Sequence, residues 1–394
     1  MNLSSDFKFI QEYIVKARRE LHKIPEIGKH LPLTSEFVVS ELEKMGVKYR
    51  KNINDSGVVA IIEGKNSGKT IALRADMDGL PIKEENTFSF KSTNQNMHAC
   101  GHDAHTAMLL GAIKILNDSK EFINGNIKFL FQTGEETCEG AKVLIEEGAL
   151  ENPKVDALLG LHIGSLFKEI GLGQVGVFSG SIMAAYDRFT IRIKGLGCHG
   201  ATPETGVDPI LISTHIISAL QTIISREKQA IKPAVISICK IHAGNSYNII
   251  PDYVDIEGTI RTVEESQRKY VIKRIEEIAN GIAISMGGNS EFKIYLGAPP
   301  VVNDLEFTEN FKKVAVQAIG EDNVISKVAG PSMGGEDVAF YLEKIPGTFF
   351  FLGSHNEKKN IKYPHHNPKF DLDEDVMWIG TELLVKGALN FLNN

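Results

Sequence analysis

The order of apolar runs and helical patterns between Val58 and Gly164 restricts the fold more than any other feature. The apolar runs are VVAIIEG, TIALRADMD, NIKFLFQTG and VDALLGLHIG, and helical spacing is found in AHTAMLLGAIKIL and AKVLIEEGAL. Strands that alternate with helices are typical of a parallel or mixed sheet covered by helices. We therefore predict an α/β domain with a mixed sheet for this part of the chain.

The pattern changes near Ser181. The segments that follow have the order β-α-β-β-α-β, which is that of the ferredoxin-like unit. We predict a second domain over residues 184–297, inserted into a first domain made of residues 1–183 and 298–394. A chain of 394 residues is longer than one hydrophobic core usually supports, which agrees with two domains.

Charge and composition exclude several classes of protein. The net charge is −7, so the chain lacks the basic excess that nucleic-acid binding requires, and we expect no nucleic-acid partner. No apolar run approaches the roughly 18 residues of a membrane-spanning helix. The charged N-terminal stretch argues against a signal peptide, and four cysteines are too few for a disulfide scaffold. We therefore expect a cytoplasmic protein.

The segment GKNSGKT, residues 64–70, is similar to a phosphate-binding loop. Such a loop has four residues between its glycines and is followed by a helix, whereas here there are three residues and a predicted strand. We interpret the segment as a glycine turn between two strands and predict no nucleotide binding.

Side chains that bind metals or move protons follow several of the predicted strands. In sheets of this class, sites form beyond the carboxyl ends of the strands. The strand-end side chains of this kind are Asp76, Asp78, Glu135, Glu136 and His162. Because these residues come from three separate segments, we predict that they meet at one site.

A fourth segment, NMHACGHDAHTAM, lies between a predicted strand and a predicted helix over 104–116. Cys100 and His102 are two residues apart, so in an extended segment they project to the same side and could share a cation. His105 could be a further ligand or could lie behind the ligands. Asp103 is interpreted as the helix N-cap, and His98 has no predicted role.

Adjacent glutamates point in different directions, so Glu135 and Glu136 could divide the work of general base and metal ligand. The alternative is an acidic first turn of a helix over 140–150. Near the C-terminus, YPHHNPKFDLDED contributes His365 and His366, which could complete the site.

The inserted domain contributes candidates of its own. His199 lies in the glycine-rich segment GLGCHGATPETGVDP and could reach a neighbouring cleft. Its neighbour Cys198 could be a nucleophile, but no residue that would orient a Cys-His pair is evident. Asn245 and Arg261 lie at predicted strand ends, where arginine suits carboxylate recognition, although a lone strand-end arginine is usually a surface residue.

The motifs as a set resemble a known family. They are RRELHKIPEIG, ALRADMDGLPI, MHACGHDAHTAMLLGA, FQTGEETCEGA, GLHIG, GCHGATPETGVDP, NSYNIIPD, GTIRT, SMGGEDVAFYL and HHNPKFDLDED. In this order they are similar to the amidohydrolase branch of the di-metal aminoacylase and carboxypeptidase clan, which includes hippurate hydrolases, N-acyl-amino-acid deacylases and auxin-conjugate hydrolases. The resemblance covers nearly the whole chain.

The resemblance implies a role for each matching residue. The implied metal ligands, with Cys100 bridging two divalent ions, are Cys100, His102, Glu136, His162 and His366. Glu135 is implied as the general base and Asp78 as a residue that orients a ligand, and His105 is expected behind the ligands. His199 matches a lid histidine that reaches the substrate. Our candidates for binding the substrate carboxylate are Asn245, Arg261, Gly334 and Gly335.

The implied fold is a di-metal aminopeptidase-like catalytic domain with an inserted lid and dimerisation domain, in a homodimer or higher homo-oligomer. The implied reaction is the hydrolysis of N-acyl-L-amino acids, of the N-acetyl or N-benzoyl type, to a carboxylate and a free amino acid. Zinc is the expected metal, and manganese, nickel and cobalt also suit the ligands. The alternatives are a dipeptidase or carboxypeptidase of the same clan and a non-catalytic ligand-binding relative.

The sequence departs from the family pattern around the paired glutamates. QTG precedes them where a proline and a small residue are usual, and TCEG follows where glycines are usual. Cys138 therefore lies two residues from an expected ligand, where a thiol could alter metal preference or be sensitive to oxidation.

Overall fold

The computed structural model describes residues 7–51 and 57–394, and the chain divides into two compact units. The first comprises the residues up to Gly180 together with Val302–Gly330 and Asp337–Asn394, and the second comprises Ser181–Val301 and Pro331–Glu336. The segment 331–336 was not predicted to group with the inserted domain. It does so because Ser332 pairs with Met183 and its carbonyl accepts the Ala184 amide.

The helices and strands follow one another along the chain. The first unit begins with α1 (Gln11–His22), α2 (Pro32–Lys44), β1 (Lys48–Lys51), β2 (Gly57–Glu63), β3 (Asn66–Asp76), α3 (His102–Asp118), β4 (Asn124–Gln132), α4 (Gly140–Glu146), β5 (Ala157–Ile163) and β6 (Val175–Gly176). There follow β7 (Gly180–Met183), β8 (Ala185–Lys194), β9 (Cys198–His199), α5 (Pro209–Thr222), β10 (Ala234–Ala243), β11 (Ile249–Ile250), β12 (Tyr253–Thr262), α6 (Glu265–Ser285) and β13 (Asn289–Leu296). The chain ends with β14 (Val301–Asn303), α7 (Leu305–Ile319), β15 (Val324–Ile325), α8 (Ala339–Leu342), β16 (Gly347–Leu352) and α9 (Met377–Asn393).

The first unit is built on one eight-stranded sheet with the order β1-β2-β4-β3-β5-β16-β6-β15. Its centre is parallel, since β3 runs parallel to β4 and β5, and β5 runs parallel to β16. The β1-β2 and β2-β4 pairs are antiparallel, so the sheet is mixed, as predicted. The predicted turn at residues 64–70 is shorter in the structure, because only Gly64 and Lys65 join β2 to β3, which begins at Asn66.

The helix α3 packs against this sheet and carries two of the predicted ligand-type residues at its start. It begins at His102, two residues earlier than predicted, after Gly101 with φ 87°. A Cβ on Gly101 would lie 3.0 Å from Ile163 Cγ2, so both the backbone angle and the close approach require glycine. The prediction that Asp103 is the N-cap is wrong, because Gly101 occupies that position and the Asp103 side chain bonds elsewhere.

The second unit has the predicted order of strand, helix, strand, strand, helix, strand. Its main sheet has the order β10-β12-β8-β13, and every neighbouring pair is antiparallel. One face packs under α5 and α6 through buried residues such as Phe189 and Ile191, while Arg188 and Arg192 on the other face are exposed. The closer assignment to the ferredoxin-like class stays a prediction.

A buried ionic cluster joins α1 to the first turn of α3. Arg18 Nε donates to Asp103 Oδ2 at 3.0 Å, and His22 Nδ1 lies 2.7 Å from the same oxygen. His22 Nε2 lies 3.1 Å from Glu84 Oε1, so both ring nitrogens face carboxylates. The cluster fixes the helix start that carries His102. Residues 1–6 of the charged N-terminal stretch lie outside the described residues.

The cluster predicts a pH dependence of stability. Burial alone would lower the pKa of His22, but Asp103 and Glu84 outweigh burial and Arg18 and raise it from 6.5 to about 8. His98, whose ring lies 6.2 Å from that of His22, has its pKa lowered by burial to about 4 and stays neutral. Protonated His22 therefore contributes up to about 2 kcal/mol to the free energy of unfolding. This contribution is complete below pH 6.5 and is lost as the pH rises through 8.

Thermal unfolding of chelator-treated protein between pH 6 and 9 measures this effect. The wild type is expected to lose stability across that window, and His22→Gln, which cannot be protonated, is expected to lack that part of the slope. Equal slopes for the two proteins would show that His22 does not carry a stabilising proton.

Within residues 7–51 and 57–394, no helix combines the length and the apolar character that crossing a membrane requires.

Candidate metal centre

The five predicted metal ligands lie together in the first unit. Cys100 Sγ is 3.5 Å from His162 Nε2, and His366 Nε2 is 3.3 Å from Glu136 Oε1. Ligand atoms of Cys100, His102 and His162 lie within 4.8 Å of one another, and so do those of Cys100, Glu136 and His366. Cys100 belongs to both groups, which is the arrangement that a bridging thiolate requires.

Two buried atoms of this cluster fit a cation. His102 Nε2 and Glu136 Oε1 have no hydrogen-bond partner among the described residues, although His366 Nε2 approaches Glu136 Oε1. Buried polar atoms are normally satisfied, and a metal ion would satisfy both of these. Burial, reinforced by the Glu136 charge, raises the pKa of the Cys100 thiol well above its usual value. A divalent ion would reverse that effect, because it binds the thiolate form.

The side chain of Asp78 orients two of the predicted ligands. His102 Nδ1 donates to the Asp78 carbonyl at 2.9 Å and lies 3.3 Å from its Oδ1, which leaves Nε2 to face the cluster. The Asp78 Oδ2 atom accepts the Glu136 amide at 3.1 Å. These contacts agree with the orienting role that the family resemblance implies for Asp78, which stays a prediction.

Glu135 lies beside the ligands. Its Oε2 is 3.9 Å from His102 Nε2, and the side chain is almost completely buried. A tight turn holds it: the Glu135 carbonyl accepts the Cys138 amide at 2.8 Å, and Cys138 has φ 58°, a backbone region that favours glycine. The alternative of an acidic first helical turn is wrong, since α4 begins at Gly140 and has no acidic residue in its first turn.

His105 is fully engaged and does not face the cluster with a free nitrogen. Its Nδ1 lies 2.6 Å from Asp76 Oδ1, and its Nε2 accepts the Ile163 amide at 2.9 Å. A ring that accepts at Nε2 carries its proton on Nδ1, and burial lowers the pKa of His105 and keeps it neutral. Of the two interpretations left open by the sequence, the structure favours a residue behind the ligands.

His365 has a position that the sequence analysis did not predict. Its Nε2 donates to the Ile163 carbonyl at 3.1 Å, and His162 Nδ1 donates to the same oxygen at 2.8 Å. A Cβ on Gly164 would lie 2.1 Å from His365 Nε2, so the glycine makes room for this ring. The histidine doublet was the available signal, but neither residue's contacts can be read from it.

The other predicted site residues belong to the second unit. His199 is exposed on β9, where it pairs with Ile249, and its Nδ1 accepts the Ala201 amide at 3.0 Å. Asn245 is exposed in the loop after β10. His199 Nε2 therefore remains available for a ligand.

Arg261 and Gly335 are brought together by a residue that the sequence analysis missed, Tyr186. The Arg261 guanidinium lies 5.0 Å from the centre of the Tyr186 ring. A Cβ on Gly335 would lie 2.0 Å from Tyr186 Cδ1, so glycine is required there. The Gly334 amide donates to Ser332 Oγ at 3.1 Å. Two of the four predicted carboxylate-binding residues, Arg261 and Gly335, thus lie against the Tyr186 ring, and a third, Gly334, is next to Gly335 in the sequence.

A family model, Peptidase family M20/M25/M40, matches residues 72–390 of the chain. The chain belongs to this family. The site geometry agrees with that assignment, and the predicted class of enzyme, a hydrolase that acts on amide bonds, is confirmed.

Relatives of known name are similar over almost their whole length. The chain is 38% identical to an N-acetyl-L-cysteine deacetylase of Bacillus subtilis, with 100% of this chain and 91% of that protein covered. It is also 38% identical to thermostable carboxypeptidase 1 of Saccharolobus solfataricus, with 99% and 98% covered. Among solved structures, a dinuclear metal-binding M20 peptidase of Bacillus subtilis is 34% identical to this chain and superimposes on it with a TM-score of 0.85. The match covers 98% of this chain and 99% of that protein.

Proposed function

We propose that the protein hydrolyses N-acyl-L-amino acids of the N-acetyl or N-benzoyl type to a carboxylate and a free amino acid. The observation that carries this proposal is the position of Glu135, an acid/base side chain whose Oε2 lies 3.9 Å from His102 Nε2, a nitrogen with no hydrogen-bond partner in the part of the chain that the structure describes. The similarity to a deacetylase that is named for an N-acetyl amino acid supports the substrate class.

The ligand set suits two divalent ions, and Cys100 would help to hold both of them. We propose that His102 and His162 complete one site and that Glu136 and His366 complete the other. When bound, such ions lower the pKa of water and polarise a carbonyl oxygen. Zinc is the proposed metal because thiolate and imidazole ligands favour it, and manganese, nickel and cobalt are the alternatives.

The side chains then perform the proton transfers and the binding. Glu135 takes the proton of the attacking water and passes it to the amine that leaves, so that the C–N bond breaks and a carboxylate and an amino group form. His199 Nε2 donates to the acyl oxygen as negative charge develops on it. Arg261, with Asn245 and backbone groups near Gly334 and Gly335, binds the substrate α-carboxylate.

We also propose a cytoplasmic homodimer or higher homo-oligomer that forms through the second unit. Large apolar side chains are exposed there, including Leu211, Ile241, Tyr247 and Ile249. Contact with a second copy of the chain would remove such side chains from water. Sedimentation analysis is expected to show a dimer or larger, and a strict monomer would contradict this proposal.

A substrate panel tests the reaction. Purified protein with added metal is expected to release amino acids from N-acetyl and N-benzoyl amino acids, with a lower kcat/KM on dipeptides. The second candidate function, a carboxypeptidase or dipeptidase, is favoured by the similarity to a thermostable carboxypeptidase. A higher kcat/KM on dipeptides than on acyl amino acids would establish that alternative instead.

Arg261→Ala is expected to raise KM for acyl amino acids by roughly 10-fold or more, because a charge-assisted bond to the carboxylate is lost. The variant should hydrolyse amides that lack the carboxylate with nearly the same kcat/KM as the wild type. Arg188→Ala is a matched control, since Arg188 also lies over a tyrosine ring, that of Tyr295 at 4.9 Å, on the exposed sheet face. Equal losses on both kinds of substrate would contradict a carboxylate-binding role for Arg261.

A further inference from the structure

His102 belongs to three possible metal-ligand groups, and two of them bear on the role of Asp76. One consists of Cys100, His102 and His162, and the other of Asp76, His102 and His105. Asp76 Oδ2 is only 3.7 Å from His102 Nε2, the nitrogen that faces the proposed metal centre. A carboxylate in this position could itself bind a cation held by His102 Nε2, unless the protein occupies its oxygens.

Arg74 occupies the Asp76 oxygen in question. Its Nη1 donates to Asp76 Oδ2 at 2.6 Å, and both side chains are fully buried. The other Asp76 oxygen, Oδ1, is engaged by His105. Both carboxylate oxygens of Asp76 are therefore used by the protein itself.

Arg74 is in turn held in a fixed orientation. Its Nη2 donates to Asp337 Oδ1 at 2.8 Å, and its Nε donates to Gln132 Oε1 at 3.0 Å. Gln132 Nε2 donates to the Asp337 carboxylate at 2.8 Å, and the Ala141 amide donates to Asp337 Oδ2 at 3.0 Å. Since these partners come from β4, α4 and the C-terminal part of the chain, the guanidinium cannot easily turn away from Asp76.

We propose that Arg74 is a positioning residue that keeps Asp76 out of the metal-ligand set. The inference rests on the proposed function, because it assumes that divalent ions bind at Cys100, His102 and their neighbours. Arg74 adds a positive charge that balances Asp76, and so the centre keeps the lower negative charge and the open coordination that activation of water needs.

The proposal predicts opposite changes in metal affinity and in turnover. Arg74→Met removes a buried cation and exposes Asp76 Oδ2 to the centre, so Co²⁺ is expected to bind roughly 10-fold or more tightly. An added oxygen ligand is expected to weaken the visible cobalt absorption, and kcat should fall by roughly 10- to 100-fold with little change in KM. A merely structural role for Arg74 would lower both affinity and kcat.

The experiment titrates chelator-treated protein with Co²⁺ alone and records the dissociation constant and the visible spectrum. Arg268→Met is the matched control, because it also removes a buried arginine that bonds an aspartate, Asp187, but in the second unit. Its cobalt affinity and spectrum should equal those of the wild type. A weaker affinity or an unchanged spectrum in Arg74→Met would overturn the proposal.

The double variant Arg74→Met/Asp76→Asn tests the same point and neutralises one of the two buried carboxylates, Asp76 and Asp337, that lose their arginine partner. If Arg74 acts through Asp76, the gain in cobalt affinity is lost again and the spectrum returns to that of the wild type. If the double variant binds Co²⁺ more tightly than the wild type, the proposal is contradicted, because the gain would not require the Asp76 carboxylate. This outcome can be measured even if Arg74→Met alone does not fold. Absence of a thiolate–cobalt band in the wild type would instead contradict the proposed metal centre itself.

Discussion

Glu135→Gln is expected to lower kcat by roughly 10² or more while the protein still binds two metal ions. The amide has nearly the same shape as the carboxylate but cannot accept the proton of the attacking water. Glu135 is not among the five proposed ligands, so its replacement should leave metal content and KM close to those of the wild type. Steady-state kinetics together with metal analysis of the same preparation measure both quantities.

Glu139→Gln is the matched control for this variant. Glu139 lies in the same turn but is exposed, and its carboxylate pairs with Lys29 at the surface. It should retain wild-type activity, since an exposed ion pair contributes little. Wild-type activity in Glu135→Gln would remove Glu135 from its role, and loss of metal would make it a ligand.

His199→Ala is expected to lower kcat by roughly 10² to 10³, because a donor to the developing oxyanion is lost. His199 is exposed, and its contacts within the second unit are local, so the free energy of unfolding and the metal content should not change. Kinetics on an N-acyl amino acid, with thermal unfolding as the stability check, test this expectation.

His242→Ala provides the comparison, since His242 is an exposed histidine on β10 of the same unit. It should leave kcat unchanged. If His199→Ala raises KM and spares kcat, His199 binds the substrate but does not stabilise the transition state.

The predicted metal centre depended on a rule that sequence alone can apply. Because β3, β4 and β5 are parallel, residues at their carboxyl ends or shortly after them reach the same edge of the sheet, as Asp78, Glu136 and His162 do. The two-residue spacing of Cys100 and His102 was likewise a local property. The roles of these residues came from the family resemblance, and they remain proposals.

Apart from Asp78, whose role the family resemblance implied, the residues that hold the site in place could not be predicted, because their partners are far away in the sequence. Asp103 looked like a helix N-cap, but it bonds Arg18, which is 85 positions earlier. Arg74 and Asp337 are 263 positions apart. No periodicity marks such pairs, and a charged residue within an apolar strand pattern, such as Arg74 in TIALRAD, was the only available signal.

The second unit shows the same limit. The order of its strands and helices followed from hydrophobic patterns, whereas the stacking of Arg261 on Tyr186 and the packing of Gly335 against that ring involve three distant segments. Tyr186 is the second residue of β8 and belongs to its regular alternation of buried and less buried residues, so nothing in that pattern distinguishes it.

A metal titration coupled to activity tests the central proposal most directly. Chelator-treated protein is titrated with Zn²⁺ or Co²⁺ while hydrolysis of an N-acetyl or N-benzoyl amino acid is followed, with Cys100→Ser as the variant that weakens both metal sites. Hydrolysis is expected to be absent without metal and to reach its maximum at two ions per chain. Hydrolysis that persists in the chelated protein, or two bound ions with no hydrolysis of any acyl amino acid, would contradict a two-metal amidohydrolase.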